Sequence, residues 1–165
     1  MIETERLLLR KPTTADVEDP PFFLTDPRVM DFLGGVEEDP RGVVQHWLDG
    51  WDTYPAGKLI VETAAGERIG RVGLNFYDPV GWVRSISPDA QPELTWALAY
   101  EHWGKGYATE AAAAVRDWFG RPGLISLIAP GNIRSQRVAE RLGARPAETI
   151  ELPNGGTHVV WEHPR

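Results

Sequence analysis

Apolar and polar residues alternate over residues 92–100, where Leu94, Trp96, Leu98 and Tyr100 share one face, and this period of two predicts a strand. The period changes at Gly104 and Gly106, which relieve the Cβ clash of a sharp turn. Ala108, Glu110 and the alanines at 111–114 are strong helix formers, so a helix is expected from Tyr107 to about Phe119, stopped by Arg121-Pro-Gly. Residues 5–10 read as a first strand ended by Pro12, and Thr13 with Asp16 three residues on resembles a capping box that opens a short helix. Pro20-Pro21 interrupts that helix. Asp26-Pro27 starts another through Leu33, stopped by Gly34-Gly35, and Asp39-Pro40 repeats the device ahead of Val43, Val44, Trp47, Leu48 and Trp51, a wide helical stripe.

Residues 58–63 and 68–77 are expected as an antiparallel hairpin around Ala-Ala-Gly-Glu. The Pro-, Gly- and Ser-rich stretch 79–91 reads as a loop with a short extended piece at 82–86. A continuous apolar run at 124–128 suits a buried strand, and 132–142 is helical with Gly143 at its end. Two closing strands, 147–152 and 157–162, flank Pro-Asn-Gly-Gly at 153–156, a strong hairpin signal. This order predicts an α+β, or mixed α/β, fold with helices on both faces of a sheet, not a standard doubly wound nucleotide fold. Of the seven tryptophans, Trp96 and Trp118 fit the core most clearly, while Trp47 and Trp51 could line a cleft.

At 165 residues the chain suits one domain, 1–165, with an ordinary share of apolar (42%) and charged (25%) positions. No apolar run approaches the ~20 residues that cross a bilayer, and the acidic start lacks the form of a secretory signal, so the expected location is the cytoplasm. The absence of cysteine excludes a thiol nucleophile, disulfides and cysteine-ligated metal. A net charge of -7 disfavours a broad grip on nucleic acid and suits a cationic partner better; Glu37, Glu38 and Asp39 hint weakly at one. No two of the four histidines stand at the i, i+4 spacing of a metal pair, so no metal site is expected. His102 is a reserve candidate for a base.

A strand that feeds a helix through two glycines aims unpaired N–H groups and the positive helix end at one point, a ready site for phosphate. Taken with the order of elements, the turn Gly104-Lys-Gly-Tyr-Ala-Thr-Glu-Ala and the run Asn132-Ile-Arg-Ser-Gln-Arg-Val-Ala-Glu-Arg-Leu-Gly143 resemble the GNAT superfamily of acyl-CoA-dependent N-acetyltransferases over nearly the whole chain. Residues 3–10 and 26–30 are similar to the branch that includes the bacterial ribosomal-protein N-terminal acetyltransferases. The resemblance implies a single, mostly antiparallel sheet of about seven strands.

It further implies acetyl-CoA as acetyl donor, an amine acceptor that is a small molecule or a protein N-terminus, a monomer or homodimer, and no dependence on nucleic acid, membrane or metal. The pyrophosphate would meet Trp103, Gly104, Lys105, Gly106, Tyr107, Ala108 and Thr109, with Trp103 standing where Gln or Arg is usual. Trp96, Ala97 and Leu98 would pair with the pantetheine amides, and Asn132, Arg134 and Ser135 would complete the site. Many members carry a tyrosine proton donor where this chain has Ala139; Ser135 could protonate the leaving thiolate instead, or could simply face solvent. Glu93 falls where related enzymes hold a carboxylate that takes the ammonium proton, directly or through water; the plain alternative is a strand-end glutamate. Loss of the tyrosine also leaves open an acyl-CoA-binding regulatory module with little turnover.

Overall fold

The computed structural model describes residues 1–153 and 156–164. Its strands are β1 (Ile2–Glu3), β2 (Leu7–Arg10), β3 (Lys58–Thr63), β4 (Arg68–Tyr77), β5 (Gln91–Leu98), β6 (Ile125–Ile128), β7 (Arg145–Glu151) and β8 (Thr157–Glu162). The helices are α1 (Thr14–Glu18), α2 (Pro27–Met30), α3 (Pro40–Thr53), α4 (Tyr107–Phe119) and α5 (Ile133–Arg141). The strands form one sheet in the order β1-β2-β3-β4-β5-β6-β8-β7, antiparallel throughout except where β5 meets β6.

The pleat explains the two layers. Even-numbered residues of β5, Leu94, Trp96 and Leu98, join Val72, Leu74 and the α4 residues Ala111, Ala112 and Val115 in one core cluster. Ala97 and Ala99 point the other way and pack with Ile60, Phe23, Leu24, Val44 and Trp47, so α3 and the turns before it cover the opposite face. Both proline-led helices are capped as expected. The Asp26 carboxylate accepts from the Arg28 N–H (2.9 Å) and Asp39 from the Gly42 N–H (3.0 Å).

Asp16 accepts from the Thr13 N–H at 2.8 Å and ion-pairs with Arg10 (2.7 Å) and Arg68 (3.3 Å), tying α1 to β2 and β4. Burial alone would raise its carboxyl; hydrogen bonds from Arg10 and Thr13 outweigh that and hold it well below the usual carboxylate range.

Several boundaries move. The N-terminal segment is two strands, because Thr4 and Leu7 bond to each other and turn the chain between them, which makes the sheet eight-stranded where about seven were expected. The strand expected to reach residue 100 ends at Leu98, and Tyr100 lies in a 3-10 turn, 42% exposed. The helix expected through Leu33 ends at Met30 and continues as turns. Trp118 is 49% exposed and only flanks Trp51 (ring centroids 6.2 Å apart), so it is not a core residue. The hairpin expected at 153–156 falls partly on residues 154 and 155, outside the described residues.

Candidate active site

β5 and β6 are joined by a single register pair, Glu93↔Ile125, and past it they diverge. At the closed end, Ser126 Oγ donates to the Leu94 carbonyl (2.7 Å) in place of a ladder bond. That leaves Ser126 Oγ to accept from His163 Nε2 (2.9 Å), so Nε2 of this buried imidazole carries a proton. Burial, with Arg116 nearby, pushes His163 down to about 4 from an ordinary 6.5.

A lowered folded-state value means that the stabilisation is fully present above pH 6.5 and is lost as pH falls toward 4, because the unfolded chain takes up the proton first. The contribution is about 3 kcal/mol at its largest. Chemical denaturation between pH 7 and 4 should show a flatter decline for His163→Gln than for wild type; parallel curves would remove His163 as the cause.

Beyond the closed end the open edge of β5 faces the cleft. The Leu98 carbonyl on that edge accepts from Trp103 Nε1 at 2.8 Å. With Leu94 and Leu98 so occupied, alternation leaves the N–H and C=O of Trp96 free at this edge.

The cleft is a cavity of about 270 Å³ whose walls come from β5, the glycine turn, α4, α5 and the α2 region. Gly104 (φ 74°) and Gly106 (φ 82°) both occupy the left-handed region, and Gly106 is the N-cap of α4. Among the described residues, the N–H groups of residues 104–109 make no protein hydrogen bond, so a row of donors lies along the turn and the first turn of α4. Thr109 Oγ1 and His102 Nδ1 are also buried without a partner, and both residues line the cavity. Arg28, Arg134, Arg137 and Arg141 add positive charge. The Arg134 guanidinium lies over the Trp103 ring at 4.0 Å, and Trp103 thereby links the end of β5 to α5.

The turn is braced from outside. Arg6 Nη1 donates to the Lys105 carbonyl (2.9 Å) and Arg6 Nε to Glu110 (2.7 Å), which also accepts from Thr4 Oγ1 (2.6 Å). Against burial, these bonds from Thr4 and Arg6 lower the Glu110 carboxyl.

At the inner end, a smaller extension of the cleft is lined by Thr95, Trp96, Ser126, Leu127, Asn132 and Ser135, roofed by Phe32 and Leu33. Asn132 Oδ1 caps α5 by accepting from the Ser135 N–H (3.2 Å), as its position suggested. The Ser135 hydroxyl makes no protein hydrogen bond among the described residues and lies in the lining of both spaces. Ala139 is fully buried in the core and outside the lining.

Thr95 leads through the sheet to a polar patch under α3. Register places Asn75 opposite Glu93, and Gly73 opposite both Thr95 and Lys58, so Lys58, Arg71, Asn75, Glu93 and Thr95 share one face. Glu93 is 6% exposed, and its Oε2 accepts from Asn75 Nδ2 at 2.6 Å. Lys58 Nζ donates to Asn75 Oδ1 and to the Leu74 carbonyl (3.1 Å). Arg71 Nη1 donates to Thr95 Oγ1 (3.2 Å), and its guanidinium lies 5.8 Å from the Trp47 ring. Burial drives the Lys58 ammonium well below its usual value; Arg71 adds to this and Glu93 opposes it. Burial and Glu93 push the neighbouring Tyr77 hydroxyl up to about 12.

The residues expected to hold the donor therefore converge: Trp96, Ala97, Leu98, Trp103, Gly104, Gly106, Tyr107, Ala108, Thr109, Asn132, Arg134 and Ser135 all line the cavity. Lys105 does not; its side chain is exposed and only its carbonyl is engaged. Glu93 lies outside the lining of both spaces; it shares a face of β5 with Thr95, which lines the smaller one, and with Ala97, which lines the larger. His102 belongs to the donor cavity, with Nε2 3.1 Å from Glu67, and not to the polar patch. Sequence reasoning missed Lys58, Arg71 and Asn75, although a polar residue at an inward-facing position of an apolar strand is a readable signal.

Residues 6–145 match the family model for the acetyltransferase (GNAT) domain. The chain is 31% identical over 144 residues to the uncharacterized protein YkkB of Bacillus subtilis, covering 80% of this chain and 77% of that one. An acetyltransferase from Agrobacterium tumefaciens has a crystal structure that superposes with a TM-score of 0.79 at 33% identity, covering 99% and 94% of the two chains. The aminoglycoside acetyltransferase AAC(6')-Ib, solved with ribostamycin and coenzyme A, shares the fold at 20% identity (TM-score 0.76; 96% and 94% covered).

Proposed function

This chain belongs to the acetyltransferase (GNAT) family, and we propose that it transfers an acetyl group from acetyl-CoA to a primary amine by direct attack in a ternary complex. The observation that carries this reading is a cavity with unbonded N–H groups along residues 104–109 at one end and the free hydroxyl of Ser135 beside Thr95 at the other. The fit to coenzyme A is good: a pyrophosphate at the α4 terminus would satisfy those donors and the buried Thr109 hydroxyl, and the lining arginines would meet the remaining phosphate charge. The free edge of Trp96 would pair with a pantetheine amide or polarise the thioester carbonyl.

The amine arrives protonated, since its pKa of about 8 to 10 lies above neutral pH. Glu93 takes one ammonium proton, directly or through a water beside Thr95. The freed lone pair forms the C–N bond at the thioester carbon while an N–H of β5 stabilises the oxyanion. As the C–S bond breaks, Ser135 gives its proton to the departing sulfur and regains one from the nitrogen, which sheds its second proton. The resemblance to enzymes acting on protein N-termini makes a peptide amine one candidate acceptor, and an aminoglycoside of the kind bound by AAC(6')-Ib is another.

Coenzyme A at ~100 times its dissociation constant should stabilise the protein by ~2.7 kcal/mol. Gly106→Val places a β-branched side chain at φ 82° and should abolish that thermal shift. Equal shifts in wild type and variant would remove the phosphate site from the turn.

A further inference from the structure

The polar patch holds more cationic side chains than its carboxylate can pair. Lys58, Arg71 and Arg84 have no carboxylate within 4.0 Å among the described residues, whereas Arg10 and Arg68, on the neighbouring strands, share Asp16. Lys58 and Arg84 line one small pocket, and Arg71, outside that lining, shares the sheet face of Lys58; Arg71 and Arg84 both disfavour the proton on Lys58, and Arg84 that on Arg71. Glu93 is the main opposing charge, and Glu37 acts on Arg71 most weakly. Asp39, also in that acidic run, is engaged as the cap of α3.

Like charges gathered around a single carboxylate, Glu93, repel one another, and an anion placed among them relieves the cost. Beside the patch is a small pocket of about 50 Å³ between α3 and the ends of β3 and β4. Its lining includes His46, Lys58, Asn75 and Arg84 and no acidic residue. Its size admits a carboxylate and little more. Arg71 bonds to Thr95, so the cationic groups begin next to the point where the donor cavity reaches the sheet face. An ammonium near Glu93 and a carboxylate near the arginines would together balance the patch.

We propose that the acceptor is a small zwitterionic amine of the amino-acid type, whose carboxylate is held by Arg71 and Arg84 while its ammonium faces Glu93. This rests on the acetyltransferase reading above and names its substrate class. It disfavours polyamines and aminoglycosides, whose additional positive charges would meet Lys58, Arg71 and Arg84. It equally disfavours a peptide N-terminus, which has no carboxylate next to the amine.

The test follows thiol release from acetyl-CoA by the full chain across free amino acids, their carboxamides, a short peptide, spermidine and an aminoglycoside. At least one amino acid should exceed its own carboxamide in kcat/KM by about tenfold or more, the range of a hydrogen bond to a charged group. Arg71→Met should bring the two toward parity while keeping the coenzyme A thermal shift; if that variant does not fold, the exposed Arg84→Gln serves. Carboxamides, peptide or polycations that match or surpass the amino acids would overturn this substrate class and leave the acetyltransferase reading intact. Thiol release with no amine at all would instead count against the acetyltransferase reading. Calorimetry of N-acetyl amino acids on the coenzyme A complex then decides the subsite: saturable binding weakened by Arg84→Gln supports it, and no binding overturns it.

Discussion

Glu93→Gln is expected to lower turnover at neutral pH by about 100- to 10,000-fold, the range of general base catalysis, with the affinity for acetyl-CoA nearly unchanged. Glu93 is 6% exposed and outside the lining of the donor cavity, so its loss should not touch coenzyme A binding. A glutamine there can still accept from Asn75 Nδ2, which keeps the bridge to Lys58 in place. What disappears is the proton acceptor. The rate should therefore recover partly as pH rises toward the amine's own pKa, where solution supplies neutral nucleophile. A counter-ion role makes a different forecast: a raised KM for the amine and no recovery in alkali. A mutant profile parallel to wild type at reduced amine affinity would reject the base assignment and shift it to a water held by strand carbonyls.

Ser135→Ala should reduce kcat by a similar factor of about 100 to 10,000 while leaving the acetyl-CoA thermal shift in place. The separation follows from geometry. The Asn132 cap is made to the Ser135 backbone N–H, not to its hydroxyl, so alanine leaves the start of α5 intact. The hydroxyl has no protein partner to lose among the described residues, and its effect should appear only as charge develops on sulfur. An unchanged maximal rate would return Ser135 to a wall residue. Replacing Ala139 offers no route to a substitute donor, because that position is fully buried and outside the cavity lining.

The donor side of the site was legible because its chemistry is local. Gly104 and Gly106 free the backbone for a left-handed turn, and the alanine-rich segment that follows starts a helix at once. The result is a run of unbonded N–H groups from residues adjacent in the chain. The caps at Asp26, Asp39 and Asn132 were legible for the same reason, each being a contact across two or three residues. Local patterns also determined strand existence, since alternation in β5 sorts Leu94, Trp96 and Leu98 onto one face before any partner is known.

Tertiary structure decided the rest. Tyr100 continues the alternation of β5 yet leaves the strand, and Trp118 lies off the face of α4 that meets the sheet, whereas Phe119 beside it packs on Phe76. The place where β5 and β6 part is set by a single register pair and by the bridge from Ser126 to Leu94, residues 32 apart. The polar patch depends wholly on register: Lys58, Arg71, Asn75 and Glu93 come from three strands, and a shift of one residue in any pairing would turn its contribution to the other face. Sequence by itself therefore determined the row of unbonded N–H groups at which we propose a phosphate is held, because one segment's backbone makes that row. Which amine is accepted belongs to the sheet, because charges far apart in the chain acquire a common address only when the strands pair.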